Sequence, residues 1–208
     1  MPEIVIIIIA AYLIGSIPVG ITVARFFGGK DVTKEGSGNI GATNVGRVAG
    51  KKAGIITLFG DILKGIIPLL LSFWIAGDAP DILSFVALAA FLGHLYPLFN
   101  RFKGGKGVAT ALGIFIVLTP SAVIIAFIIF GITLYIWRYV SLSSMTAACA
   151  IPILVGIFSF SYAYIFLSLT IGGLVIFRHM DNIKRLLNGE ESRFGIEKAG
   201  ERKLENCD

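Results

Sequence analysis

Charge is scarce in this sequence. Only 15% of its 208 residues are Asp, Glu, Lys or Arg, against about a quarter in soluble domains. No polar stretch is long enough to build a soluble domain. The 56% hydrophobic content and mean hydropathy of +0.86 define an integral membrane protein with one membrane domain. Cysteine is also nearly missing: Cys149 lies in an apolar run, where it reads as packing, and Cys207 lies near the end, so the pair makes no disulfide or metal framework. The opening MPEIVIIIIA lacks the basic start of a signal peptide and reads as a retained helix. Carboxylates do not cluster, so neither a metal nor a cofactor is expected.

What remains is a series of apolar runs. A span needs roughly 20 apolar residues. Ile4 to Phe27, Gly54 to Ile75 and Ile82 to Phe99 are long enough, and Pro18 predicts a kink in the first. Gly107 to Trp137 contains 31 residues, about 46 Å as one helix and too long for a core of about 30 Å. Thr119-Pro120 divides it into Gly107 to Thr119 and Pro120 to Trp137. Ser143 to Phe158 and Phe160 to Phe177 complete an all-α, polytopic fold with seven transmembrane helices.

Basic residues sort onto one side of that arrangement. Lys30, Lys34, Arg47, Lys51, Lys52, Arg101, Lys103, Lys106, Arg138, Arg178, Lys184, Arg185 and Arg193 share a face, whereas the opposite loops hold Asp78 and Asp81. Cytoplasmic loops carry the positive excess, so the N-terminus is expected outside and the C-terminus in the cytoplasm. Residues 1–190 form the membrane domain. Residues 191–208 read as a polar tail, or partly as an expression remnant.

Three cytoplasmic stretches are richer in donors than a connector needs. SGNIGATNVGR, Ser37 to Arg47, follows the first span. Gly36 to Gly41 formally satisfies G-x-G-x-x-G, but that fingerprint has meaning only between a strand and a helix. Its physics survives: glycines let backbone N–H groups crowd an anion, and Ser37, Asn39, Thr43, Asn44 and Arg47 add donors. The plain alternative is a polar hinge. RFKGGKGVAT, Arg101 to Thr110, is no Walker A loop, yet it sets three cations and three glycines before a helix start, a ready phosphate site. Anchoring by positive charge would explain its cations but not its glycines. FRHMDNIKRLLNG brings His179, Asp181 and Asn182 to the same face; alone it would also serve as a helix end tidied by cations. RYVSLSS, Arg138 to Ser144, adds hydroxyls. Asp61 and Lys64, three apart on one helix, read as a structural ion pair near the site, and His94 as a satisfied buried histidine. Together these loops predict a phosphate site at headgroup level, reached by a hydrophobic partner from the bilayer.

SGNIGATNVGR, GHLYPLFNRFKGGKGVAT and the final HMDN, in this order, closely resemble the bacterial acyl-phosphate:glycerol-3-phosphate acyltransferases, the PlsY family, from Ile4 to about Gly189. The resemblance implies transfer of a fatty acyl group from acyl phosphate to the sn-1 hydroxyl of glycerol 3-phosphate. The products would be lysophosphatidic acid and phosphate, in the first step of phospholipid biosynthesis at the bacterial inner membrane. It implies catalytic roles for Ser37, Arg47, Lys106, His179 and Asn182. Substrate binding would fall to Gly38, Asn39, Thr43, Asn44, Lys103, Gly104, Gly105, Gly107 and Ser143 or Ser144. Expected partners are the two substrates, membrane lipids and, transiently, a soluble acyl-phosphate-producing enzyme; no nucleic acid is expected, and the chain should act as a monomer. The H-x-x-x-x-D motif of acyltransferases that use acyl-CoA or acyl carrier protein is missing, since Phe99 follows His94 and Lys184 follows His179 at that spacing. Two rival readings are a transporter of organic phosphates and a basic docking platform for a peripheral protein.

Overall fold

A computed structural model describes residues 2–29 and 31–195. Lys30, Cys207 and residues 196–208 of the expected tail lie outside the described residues. The described residues form ten α-helices: α1 Pro2–Gly15, α2 Val19–Gly28, α3 Ala42–Val48, α4 Lys51–Ala76, α5 Pro80–Leu95, α6 Val108–Leu118, α7 Pro120–Trp137, α8 Val140–Phe158, α9 Tyr162–Arg178 and α10 Met180–Leu187.

Proline sets two of the breaks. Pro18 has no N–H to continue a helix, and the first apolar run divides around it into α1 and α2. Pro120 opens α7 and separates it from α6. Five units are long and apolar enough to cross a membrane: Pro2–Gly28, Lys51–Ala76, Pro80–Asn100, Pro120–Trp137 and Val140–Phe158. α9 and α10, bent by 53°, make a sixth if taken together. The stretch Gly107 to Thr119, expected to be a span, forms α6, whose 11 residues reach only about 16 Å, and it is not among the helices long enough to cross a membrane. Thr119 and Pro120 end it early. α8 begins at Val140, not Ser143, so the hydroxyls of RYVSLSS lie in its first turns.

The core sits where α4, α5, α6 and α9 meet, around Leu69, Phe91, Ile114 and Ile171. Small residues let the helices approach closely. A Cβ on Gly93 of α5 would lie 2.3 Å from the Tyr12 carbonyl of α1, and one on Gly113 of α6 would lie 2.1 Å from the Ile62 carbonyl of α4. Without a hydrophobic drive between helices in lipid, such close packing is what holds them together. Outward faces carry exposed apolar side chains such as Phe59, Ile124 and Phe127. Cys149, expected to be packed, is exposed on α8.

The first residues read as tail make contacts with the helices. Glu191 is tied into the helices described below, the Phe194 N–H donates to the Arg138 carbonyl at 2.6 Å, and Arg193 Nε donates to the Tyr139 hydroxyl at 3.2 Å.

Candidate functional site

The first donor-rich stretch is half loop and half helix. Ser37 to Gly41 is irregular, and Ala42 onward forms α3. Asn44, placed among the substrate ligands by its position in the motif, has another job. It is 2% exposed; its Oδ1 accepts the Ser37 N–H at 2.8 Å, and its Nδ2 faces the carbonyls of Val32, Glu35 and Asn39 at 3.0, 3.1 and 2.9 Å. No amide hydrogen is left for a ligand. The side chain instead holds Ser37, Gly38 and Asn39 in place.

The glycine loop between the 3-10 turn Leu98–Asn100 and α6 is fixed from two sides. Arg178, at the end of α9, donates from Nη2 to the Gly104 carbonyl at 2.9 Å and from Nε to the Gly105 carbonyl at 3.2 Å. Its guanidinium lies over the Tyr96 ring, 5.8 Å from the centroid. On the other side the Gly105 N–H donates to the His94 carbonyl at 3.3 Å. With those carbonyls turned away, the N–H groups of Lys106, Gly107 and Val108 have no backbone acceptor among the described residues. Gly107 reaches its φ of 82° just before α6, a conformation that suits glycine. The result is a set of N–H groups without a backbone acceptor at a helix start, the arrangement that binds phosphate.

Lys106 projects from this loop to Asn182 of α10, its ammonium donating to Asn182 Oδ1. Asn182 Nδ2 donates at 2.7 Å to Glu191 Oε1, which also accepts Ser141 Oγ at 2.7 Å, while Glu191 Oε2 takes Arg185 Nε at 2.8 Å. Because Glu191 can only accept, it fixes which end of the Asn182 amide faces Lys106. Burial alone would raise the Glu191 carboxyl, but the hydrogen bonds from Ser141, Arg185 and Asn182 hold it below the ordinary range. Burial also pulls the Lys106 ammonium down to about 8; Glu191 opposes that, and the charges of Arg185 and Arg47 add to it.

His179 joins α9 to α10 and is 2% exposed. Its Nδ1 lies 2.8 Å from the Val175 carbonyl. A carbonyl only accepts, so Nδ1 carries the proton and Nε2 is the open acceptor. Burial, then the neighbouring Lys106 charge, pulls the imidazole down to about 4, so the ring is neutral near pH 7.

A cleft of about 250 Å³ opens between these parts, lined by Ser37, Gly38, Asn39, Gly104, Lys106, Phe177, Arg178, Met180, Asp181, Asn182 and Arg185. Seven of the residues singled out in the sequence therefore meet there: Ser37, Gly38, Asn39, Gly104, Lys106, Asp181 and Asn182; His179 is not part of the lining. Arg47 and Thr43 are exposed on α3, with Arg47 close enough for its charge to act on Lys106. Lys103 is exposed, and Gly105 and Gly107 are buried in the loop's support. Ser143 and Ser144 spend their hydroxyl hydrogens on the Tyr139 and Val140 carbonyls, each at 2.8 Å, and lie off the cleft. Sequence reasoning missed Arg178, Arg185 and Glu191. The two arginines looked like positive-inside charges, and Glu191 was assigned to the tail. Among the described residues no three His, Cys, Asp or Glu side chains converge to hold a metal ion.

The fold and the cleft define the class: a multi-helix membrane protein with a cation-lined cleft at the ends of its helices. The family model described as glycerol-3-phosphate acyltransferase matches residues 5–189, and the chain belongs to this family. It is 54% identical over 196 residues to the glycerol-3-phosphate acyltransferase of Syntrophotalea carbinolica, covering 93% of this chain and 99% of that one. With that of Aquifex aeolicus it shares 45% identity, over 90% of this chain and 97% of the relative. Among solved structures it is similar to PlsY (YgiH), an integral membrane glycerol 3-phosphate acyltransferase, in its glycerol 3-phosphate form. The TM-score is 0.87 and the identity 45%, with 93% of this chain and 96% of that chain covered. The lysophosphatidic acid form of the same protein gives a TM-score of 0.85.

Proposed function

We propose that this protein moves a fatty acyl group from acyl phosphate to the sn-1 hydroxyl of glycerol 3-phosphate, releasing phosphate and forming lysophosphatidic acid. Family membership supports the reaction. The single observation that carries the site assignment is the convergence of Lys106, Ser37 and Asn182 on one cleft, beside the loop N–H groups that lack a backbone acceptor. Two phosphates need such a surface, and an acyl phosphate is already activated, so no covalent enzyme intermediate is required.

Lys106 and Arg47 hold the phosphates. Ser37, with loop N–H groups, stabilises the oxyanion that develops on the acyl carbonyl. Asn182, oriented by Glu191, and His179 Nε2 orient glycerol 3-phosphate. A base whose pKa lies near 4 is poorly matched to proton abstraction at neutral pH. The hydroxyl proton therefore passes to a phosphate oxygen of the substrate as the carbon–oxygen bond to the leaving phosphate breaks. Phe177 and Met180 at the cleft wall supply the apolar side on which the acyl chain enters from the bilayer.

In this reading the chain crosses the bacterial inner membrane seven times, with the N-terminus outside and the site and C-terminus cytoplasmic. α6 is the short crossing; Gly107 and Thr119 at its ends are buried in protein, where non-helical backbone is tolerated at membrane depth. The protein acts as a monomer, and its basic face is the surface that a soluble acyl-phosphate-producing enzyme would touch transiently. Proteoliposomes supplied with palmitoyl phosphate and labelled glycerol 3-phosphate test the reaction. Labelled lysophosphatidic acid is the expected product, whereas label accumulating unchanged inside the vesicles would show a transporter instead.

A further inference from the structure

The mechanism above leaves a buried cluster of charged and titratable side chains unused. Asp61 and Lys64 of α4 and His94 of α5 are 2%, 4% and 4% exposed. Lys64 Nζ lies 2.7 Å from Asp61 Oδ1 in an ion-pair contact, and His94 Nδ1 lies 3.6 Å from the same oxygen. Neither Asp61 Oδ1 nor His94 Nδ1 has an aligned hydrogen bond, so the histidine expected to be satisfied is not. Apolar side chains of similar volume would pack such a place at least as well. A buried group left unpaired calls for a reason.

The other edge of the imidazole supplies one. A Cβ built on Gly105 would lie 2.4 Å from His94 Nε2, and its three nearest neighbours are all atoms of that ring. Gly105 does not occupy left-handed backbone, so it is the ring, not backbone strain, that a side chain there would meet first. The Gly105 N–H donates to the His94 carbonyl, and a Cβ on Gly104 would meet that same oxygen at 2.1 Å. Beyond Lys106, Thr110 Oγ1 of α6 donates to the Asp61 carbonyl at 3.0 Å. The cluster thus touches the chain on both sides of Lys106.

We propose that His94, held by Asp61 and Lys64, is a positioning residue for acyl transfer: its ring is the seat of the Gly104–Gly105 turn and so sets where Lys106 meets the phosphates. This rests on the acyl-transfer reading above, and His94 itself does not touch substrate. Displacing a catalytic group by about 1 Å costs up to about 100-fold in rate.

A double-mutant cycle on the purified full chain, with palmitoyl phosphate and labelled glycerol 3-phosphate, tests it. Gly105→Ala drives its methyl into the ring and should lower kcat by about 10- to 100-fold. His94→Ala removes the seat and should cost about as much, with His94→Asn, which keeps a polar atom towards Asp61, intermediate. In the His94→Ala background, Gly105→Ala should then cost less than about 3-fold, because the two changes act through one contact. Losses that simply multiply, or a folded His94→Ala with wild-type kcat, would overturn the proposal. Amide exchange reads the same question without turnover: Gly104 to Val108 should exchange faster in His94→Ala, or in His94→Asn if the alanine variant does not fold, while α7 is unchanged. If the wild type forms no product, the acyl-transfer reading fails by itself, and unchanged exchange at the loop would then sink the positioning role separately.

Discussion

Asn44→Ala should disable the cleft without touching a substrate. The wild-type carboxamide makes one bond to the Ser37 N–H and faces three loop carbonyls. At about 1 kcal/mol net for each of the three bonds that one acceptor and two amide hydrogens can make, removal withdraws about 3 kcal/mol from the ordered loop. That corresponds to roughly two factors of ten in its ordered fraction. The loss falls on Ser37, Gly38 and Asn39, which line the cleft. The rate with limiting glycerol 3-phosphate should drop by about 10²- to 10³-fold, and the Ser37 amide should lose its exchange protection. Asn44→Asp should be no better. It keeps an acceptor for Ser37 but turns a carboxylate oxygen toward carbonyls that need a donor. The reasoning fails if Asn44→Ala weakens substrate binding while Ser37 stays as protected as in the wild type, because Asn44 would then be a ligand and not a support.

Three other outcomes follow from the same geometry. As pH rises through about 8 the free enzyme loses the Lys106 ammonium, so kcat/KM should fall on the alkaline side. The kcat limb should lie higher, because bound phosphates favour the charged form; Lys106→Met should abolish the limb and lower the rate at least about 10²-fold. Glu191→Gln keeps the size of the side chain but lets its amide nitrogen face Asn182. It should cost about 10-fold or more in kcat, as charge-assisted hydrogen bonds are worth about 1.5–3 kcal/mol each, measured beside a thermal melt to exclude unfolding. His179→Gln, which keeps an acceptor, should retain more activity than His179→Ala, and neither should remove a pH limb near 6, since the imidazole titrates near 4.

The membrane class, most helix positions and the two glycine-rich motifs were readable because they depend on local composition: long apolar runs, Pro18 and Pro120 as breaks, and glycine beside cations. The convergence of Ser37, Lys106 and Asn182 was readable through the side of the membrane to which basic residues sort. What could not be read depends on contacts distant in sequence. Asn44 looks like a ligand until its carboxamide is seen to serve a loop 5 to 12 residues away. Arg178 clamps carbonyls 73 and 74 positions earlier. Glu191 reaches 50 residues back to Ser141, and nothing in ENCD-like polarity at the chain's end separates such an anchor from a free tail. The short α3 and α10 escaped for another reason: α3 carries three polar residues in seven, and isolated helices of that length are marginal without tertiary contacts.

The most direct test of the account is turnover by the purified protein with labelled glycerol 3-phosphate, given palmitoyl phosphate or palmitoyl-CoA as donor in parallel. The account predicts labelled lysophosphatidic acid from the acyl phosphate alone, and its loss in Lys106→Met. Equal product from palmitoyl-CoA, or no product from palmitoyl phosphate in protein shown to be folded, would contradict it.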